Sequence, residues 1–265
     1  MRSGVALPGG ANGEAELQLE LPAHGYARAY TDHIYCLNKL RRLGRKARME
    51  ELFRYMSLDA EMFGGGHVDA WRDIIRRGYR HALVVEDDAD FEVDAVAVIH
   101  DALATLRQSA DDWDILYVGH CSMEEGAGTA VGESSRMFKS VHPFCLSGYI
   151  LSRTGAQKLY AFFSKGVRQA YATDIQLVAL VKRNVLASYS VHPPVVYQRR
   201  DLYPSGDGLE LKVASLLKNS AWNEAVAHVP RLAGWTDPLD AEFQNPAFAK
   251  IPKWMEHGRA AQSRA

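Results

Sequence analysis

Between residues 33 and 118, short apolar runs alternate with segments of helical periodicity, and few folds satisfy that pattern. His33-Ile-Tyr-Cys-Leu37, Ala82-Leu-Val-Val85 and Asp114-Ile-Leu-Tyr-Val118 read as strands buried on both faces. Met49, Leu52, Phe53 and Met56 recur at helical spacing and predict a helix over residues 45–57. Val68, Trp71, Ile74 and Ile75 predict a second, separated from the first by Gly64-Gly65-Gly66 and closed by Gly78. Val96, Ile99, Leu103 and Leu106 mark a third. Alternation of this kind predicts an α/β fold, a Rossmann-type α/β/α sandwich around a mostly parallel sheet. In such sheets ligands bind beyond the carboxyl ends of the strands.

The second half continues the theme. Leu146–Leu151 is a predicted strand, and Thr154 can cap a helix that carries Leu159, Phe162 and Phe163 and stops before Gly166. Another helix is expected over 173–183, short strands at 189–191 and 195–197 around His192-Pro193-Pro194, and a helix near 209–217. Residues 124–135 are small and polar and read as a mobile surface loop. The expected organisation is a flexible lead-in over 1–30, a single domain over 31–230 and a Pro-punctuated extension over 231–265, without internal repeats.

Composition narrows the function classes. Hydrophobic residues make up 47% and charged residues 24% of the 265, which excludes a disordered or fibrous chain. Lys and Arg number 31 against 32 Asp and Glu, a net charge of -1 that argues against a general nucleic-acid or anionic-membrane binder. No run approaches the roughly 18 apolar residues of a membrane span. The N-terminus carries no apolar secretory core, and the three cysteines do not form a disulfide framework or a zinc-ligand spacing. Cys36 and Cys145 lie in apolar runs and read as buried thiols, so the default expectation is a soluble protein of a reduced, cytoplasmic setting, with its compartment unknown.

The near-zero charge is a sum of opposites. Six of the ten residues from Lys39 to Arg48 are basic, and six of the nine from Glu86 to Asp94 are acidic. Glu86-Asp87-Asp88 follows the second strand directly, so three carboxylates gather at the ligand edge. Mutual repulsion raises the cost of ionising them, and a divalent cation would remove that cost. Glu86 and Asp88, one residue apart, would point the same way on an extended chain. The alternative is a solvated acidic loop in which Asp88 or Asp90 caps the following helix. The basic run follows the first strand and shares its edge; its arginines would hold phosphate oxygens or simply line a solvated helix face. A cation site and a phosphate site on one edge together point to a nucleotide diphosphate.

These residues resemble glycosyltransferase family 25. The segments fall in the family's order: Ile34-Tyr-Cys-Leu37 with Arg45-Lys46 and Met49; Gly66-His67-Val-Asp-Ala-Trp71, similar to Ser-His-x-x-x-Trp; Ala82-Leu-Val-Val-Glu-Asp-Asp88; Ser147 to Leu159; Ala172-Thr-Asp174; and Tyr189 to Gln198. The family often has an acidic residue where Gly44 stands and a serine where Gly66 stands, and residues 58–66 form a shorter stretch than expected. The resemblance implies a GT-A-like fold and a metal-dependent galactosyltransferase or other hexosyltransferase. It would use a UDP-sugar donor, Mn²⁺ or Mg²⁺, and a glycan or hydroxylated acceptor, with inversion at the anomeric carbon. Glu86 and Asp88 would then bind the metal. Arg45, His67, Asp87 and His192 would bind the donor; the alternatives are that His67 caps its own helix and that His192 serves structure. Asp174 would be the catalytic base, a further metal ligand or a helix N-cap. A non-catalytic binding protein of the same fold and a Mg²⁺-dependent phosphohydrolase are the competing readings.

Overall fold

The computed structural model describes residues 31–39, 41–109, 112–164, 172–199, 202 and 219–232. The expected lead-in, the helix near 209–217 and nearly all of the extension lie outside those residues. Strand β1 (His33–Leu37) leads through α1 (Leu43–Tyr55) to β2 (Glu61–Phe63), and α2 (His67–Arg77) leads on to β3 (His81–Glu86). Then follow β4 (Ala89–Phe91), α3 (Ala95–Ser109), β5 (Ile115–Gly119), β6 (Met137–Lys139), β7 (Gly148–Ser152), α4 (Arg153–Phe163), α5 (Thr173–Lys182), β8 (Ser188–Val191), β9 (Val196–Gln198) and α6 (Ala221–His228).

Seven strands form one sheet in the order β2-β1-β3-β7-β5-β8-β6, and β4 pairs with β9 in a small second sheet. Strands β1, β2 and β3 are parallel, as are β5 and β8; β7 runs against β3 and β5, and β6 against β8. The sheet is thus mostly parallel, as expected, with β6 and β7 the exceptions. Period-2 alternation sorts the strands onto two faces. Ile34, Cys36, Leu83, Val85, Leu116, Val118 and Ile150 pack with Met49, Leu52, Leu103, Leu106 and Trp222. Tyr35, Val84, Tyr117, Tyr149 and Leu151 pack on the other face with Trp71, Ile74, Leu159 and Leu177. Helices α1, α3 and α6 therefore cover one face and α2, α4 and α5 the other, an α/β/α sandwich of Rossmann-like type.

Several local expectations are corrected. The acidic run does not lead straight to a helix: β3 ends at Glu86, Asp87-Asp88 turn, and the chain enters β4. The α4 cap is Ser152, whose hydroxyl accepts from the Gly155 N–H at 3.0 Å, while Thr154 bonds back to Ser152. The two strands expected around His192-Pro193-Pro194 are present as β8 and β9 and join different sheets. The polar stretch 124–135 holds a 3-10 turn, Glu125–Ala127, whose Glu125 is fully buried and accepts from the Val141 N–H and the Ser190 hydroxyl. Cys121 and Cys145 are disulfide-bonded, and Cys36 is the buried free thiol. Sequence spacing could not show this pairing, because the sheet brings the end of β5 beside the start of β7. Such a bond persists in oxidising surroundings, contrary to the expectation of a reduced setting. No helix among the described residues is long and apolar enough to cross a membrane.

Candidate functional site

The parallel strands β1, β2 and β3 deliver three loops to one sheet edge. Helix α1 leaves β1 toward one face and α2 leaves β2 toward the other, so a crevice opens between them. It is a cavity of about 550 Å³ lined by Leu37, Lys39, Arg42 and Arg45 from the first loop, Gly64, Gly65, Gly66 and His67 from the second, and Glu86, Asp87 and Asp88 from the third, with Gln198 of β9 closing it. Five of the seven site residues named from the sequence, Arg45, His67, Glu86, Asp87 and Asp88, meet here.

Their roles divide differently from the expectation. The Asp87 carboxylate turns inward and accepts from Asn38 Nδ2 at 3.0 Å, Arg42 Nη1 at 3.1 Å and Arg45 Nη1 at 2.9 Å. Arg45, itself buried, also donates to Asp88 Oδ2 at 3.0 Å. Arg48 is fully enclosed, donates to the Asp87 and Ala89 carbonyls and lies 5.7 Å from the Trp222 ring centroid. The basic and acidic runs therefore neutralise each other in the wall of the crevice: Arg45 and Asp87 line the cavity, and each already spends hydrogen bonds on the other. Lys39, exposed at the rim, and Arg42, half-buried, are the better-placed cations for an anionic ligand.

Asp88 carries a perturbed carboxyl. Burial, and next the nearby Glu86 charge, hold its carboxyl above the usual range, while Gln198 and Arg45 pull it down. Its Oδ2 accepts from Arg45 and Gln198 Nε2, each at 3.0 Å, but Oδ1 is buried with no hydrogen-bond partner among the described residues. An orphaned carboxylate oxygen beside a second carboxylate, on the wall of a cavity, fits a hard divalent cation. Among the described residues no three acidic, His or Cys side chains converge as a protein-only metal site. An ion here would therefore take its remaining ligands from a bound anion and water.

The glycine loop is shaped by sterics. A Cβ on Gly65 would sit 2.6 Å from Phe63 Cε1 and 2.7 Å from Asp69 Cβ, whereas one on Gly66 would meet nothing within 4 Å. Gly65→Ala should therefore lower stability by about 1–3 kcal/mol through overpacking, and Gly66→Ala should not. Chemical denaturation of the two variants side by side checks this, and equal midpoints would refute it.

His192 and Asp174 lie outside the cavity lining. His192 stacks on buried His120, ring centroids 5.6 Å apart, where the β5 and β8 strand ends meet. Burial lowers both imidazoles below their ordinary range, His120 to about 4, with Glu125 opposing the shift. His192 thus belongs to a second cluster on the same edge, beside His120 and apart from the cavity lining. Asp174 is not the N-cap, a position that Ala172 holds; it sits in the first turn of α5, and its charge adds a small part to the upward shift that burial chiefly imposes on the Tyr117 phenol. Asn38, Gln198 and Tyr149 were missed as contributors, while Arg42 stood in the basic run whose arginines were expected to hold phosphate. Gln198 and Tyr149 stood in segments that resembled the family, and nothing in the sequence marked what they touch.

No protein-family model matches the chain. It is 27% identical to procollagen galactosyltransferase 1 of Danio rerio over 137 residues, 51% of this chain and 22% of that protein. It is 26% identical to procollagen galactosyltransferase 2 of Homo sapiens over 137 residues, 51% of this chain and 21% of the relative. It is 25% identical to the human inactive glycosyltransferase 25 family member 3 over 126 residues, 48% of this chain and 21% of the relative. The chain spans about a fifth of the length of these relatives. Over about half of its own length, then, its similarity is to members of glycosyltransferase family 25.

Proposed function

We propose that this chain carries a metal-dependent glycosyltransferase domain of GT-A type. It would transfer a hexose, galactose favoured, from a UDP-sugar to a hydroxyl of a glycan or other hydroxylated acceptor, with inversion. The observation that carries this reading is the orphaned Asp88 Oδ1 beside Glu86 in a cavity that also presents Lys39, Arg42 and an open glycine loop. Glu86 and Asp88 would hold Mn²⁺ or Mg²⁺; when bound, that ion supplies charge stabilisation to the departing diphosphate. Lys39 and Arg42 add positive charge at the rim, and Gly66 lets a ligand approach the backbone closely. Asp174 is the candidate general base for the acceptor proton.

The test is a thermal-shift and sugar-release panel of UDP- and GDP-sugars with and without Mn²⁺. Ligands of the native state stabilise it by mass action, so UDP with Mn²⁺ should raise Tm measurably, by about 2.7 kcal/mol of stability at a hundred times Kd. No shift with any nucleotide diphosphate at millimolar ligand and metal would overturn the reading. A second reading, a non-catalytic nucleotide-sugar binder, is favoured by the human relative whose name calls it inactive. It predicts the Tm shift without any sugar release or transfer.

A further inference from the structure

Four side chains from three segments form one hydrogen-bonded line that ends on the cavity carboxylate Glu86. His67 and Trp71 stand four residues apart and so share a face of α2. Both reach the hydroxyl of Tyr149 on β7: Trp71 Nε1 at 2.8 Å and His67 Nδ1 at 3.0 Å. The other ring nitrogen, His67 Nε2, lies 3.4 Å from Glu86 Oε1.

The chemistry of the four groups settles the direction of each bond. Trp71 can only donate, so the Tyr149 oxygen accepts from it. The Tyr149 proton then needs an acceptor, and among the described residues His67 Nδ1 is the one within hydrogen-bond reach. Were His67 to donate from Nδ1 instead, the phenol proton would be buried without a partner and the Nε2 lone pair would face the Glu86 carboxylate, both unfavourable. His67 must therefore be the Nε2–H tautomer, donating to Glu86. Tyr149 and Trp71 are fully buried, so the far end of the line is held rigidly by the core.

We infer that His67 is a positioning residue: the Trp71–Tyr149 pair fixes its tautomer and ring, and it in turn orients Glu86 toward the ligand, without itself contacting the sugar donor. Partners of this kind raise the basicity and fix the geometry of the carboxylate or imidazole that they hold. The assignment accounts for the His-x-x-x-Trp spacing, because one turn of helix puts both donors and acceptors over the same phenol. The metal half of the inference rests on the proposed function; the tautomer half does not.

The first measurement is the His67 tautomer, from long-range 1H–15N correlation spectra of uniformly labelled protein without nucleotide or metal. A single Nε2–H form in the native protein, becoming a mixture in Tyr149→Phe, is expected; an Nδ1–H form in the native protein would overturn the inference. The second is Mn²⁺ affinity in the presence of UDP, read by paramagnetic resonance. His67→Gln can still accept from Tyr149 and donate to Glu86, so it should stay within about threefold of native, while His67→Leu should weaken Mn²⁺ about 10–100-fold. Affinity for UDP without metal should not change in either variant; a loss there would show donor contact and overturn the positioning role. If the native protein bound neither UDP nor Mn²⁺, the glycosyltransferase reading would fail, and the tautomer spectra would still decide the relay. His67 is partly exposed, and circular dichroism checks that both variants fold.

Discussion

Asp88→Asn should lower sugar transfer by about 10²–10³-fold with little change in Tm. Asparagine keeps the shape of the side chain and an oxygen that can accept from Arg45 or Gln198, but removes the charge that a divalent cation needs. The loss follows from losing several kcal/mol of stabilisation on the leaving diphosphate, at about 1.4 kcal/mol per tenfold in rate. Stability should hold because burial, and next the Glu86 charge, already hold the native carboxyl above the usual range, so its ionised form is costly there. Arg45 retains Asp87 as a partner in the variant. The measurement is kcat/KM for the best donor found, at saturating Mn²⁺, beside a melting curve. A variant with more than a tenth of native activity would remove Asp88 from the metal site; a fall of ten degrees or more in Tm would make the activity loss uninformative and contradict the energetic argument.

Asp90→Ala is expected to have the largest effect on stability. Asp90 is fully buried on β4, where Oδ2 accepts from Arg199 Nη1 at 2.8 Å and Ser220 Oγ at 2.6 Å, and Oδ1 from the Phe91 and Trp222 N–H groups at 2.8 and 3.2 Å. One carboxylate thus ties β4, the residue after β9 and the start of α6 together. Taking it away leaves Arg199 buried without that counter-charge, which costs about 3–5 kcal/mol for pairs of this kind. For a domain of this size that is a Tm lower by about 6–20 °C. The effect should reach the site, because the Arg199 N–H donates to the Asp88 carbonyl and Gln198, its neighbour, donates to the Asp88 carboxylate. A double variant, Asp90→Leu with Arg199→Met, should recover much of the loss, since it buries no lone charge. A single variant that melts within two degrees of native would show that the pair holds nothing together.

These two neighbouring aspartates show how far a sequence can be read. Glu86-Asp87-Asp88 could be placed at a ligand edge from strand pattern alone, because four consecutive apolar residues before it leave the chain little choice but a buried strand. The division of labour among the acids could not be read, since it depends on a turn at Asp87-Asp88 that hands the Asp87 carboxylate to Asn38, Arg42 and Arg45. The arginines carry the same lesson. Their composition suited phosphate, yet Arg45 and Arg48 are buried in the wall against Asp87, Asp88 and backbone carbonyls from 39 or more residues away.

The sequence by itself determined the layered α/β architecture, the two helix-covered faces and the position of the acidic run, because periodicity and strand length are local properties. The segments that resemble family 25 were legible for the same reason: each is a short, contiguous pattern. Only the tertiary structure decided that the charges cancel in the wall, that His67, Trp71 and Tyr149 form one line onto Glu86, that His192 belongs to a second cluster, and that Cys121 meets Cys145. Each of those facts is a contact between segments far apart in the chain. Such contacts are set by sheet order and by which strands run antiparallel, and no local pattern in one chain records either.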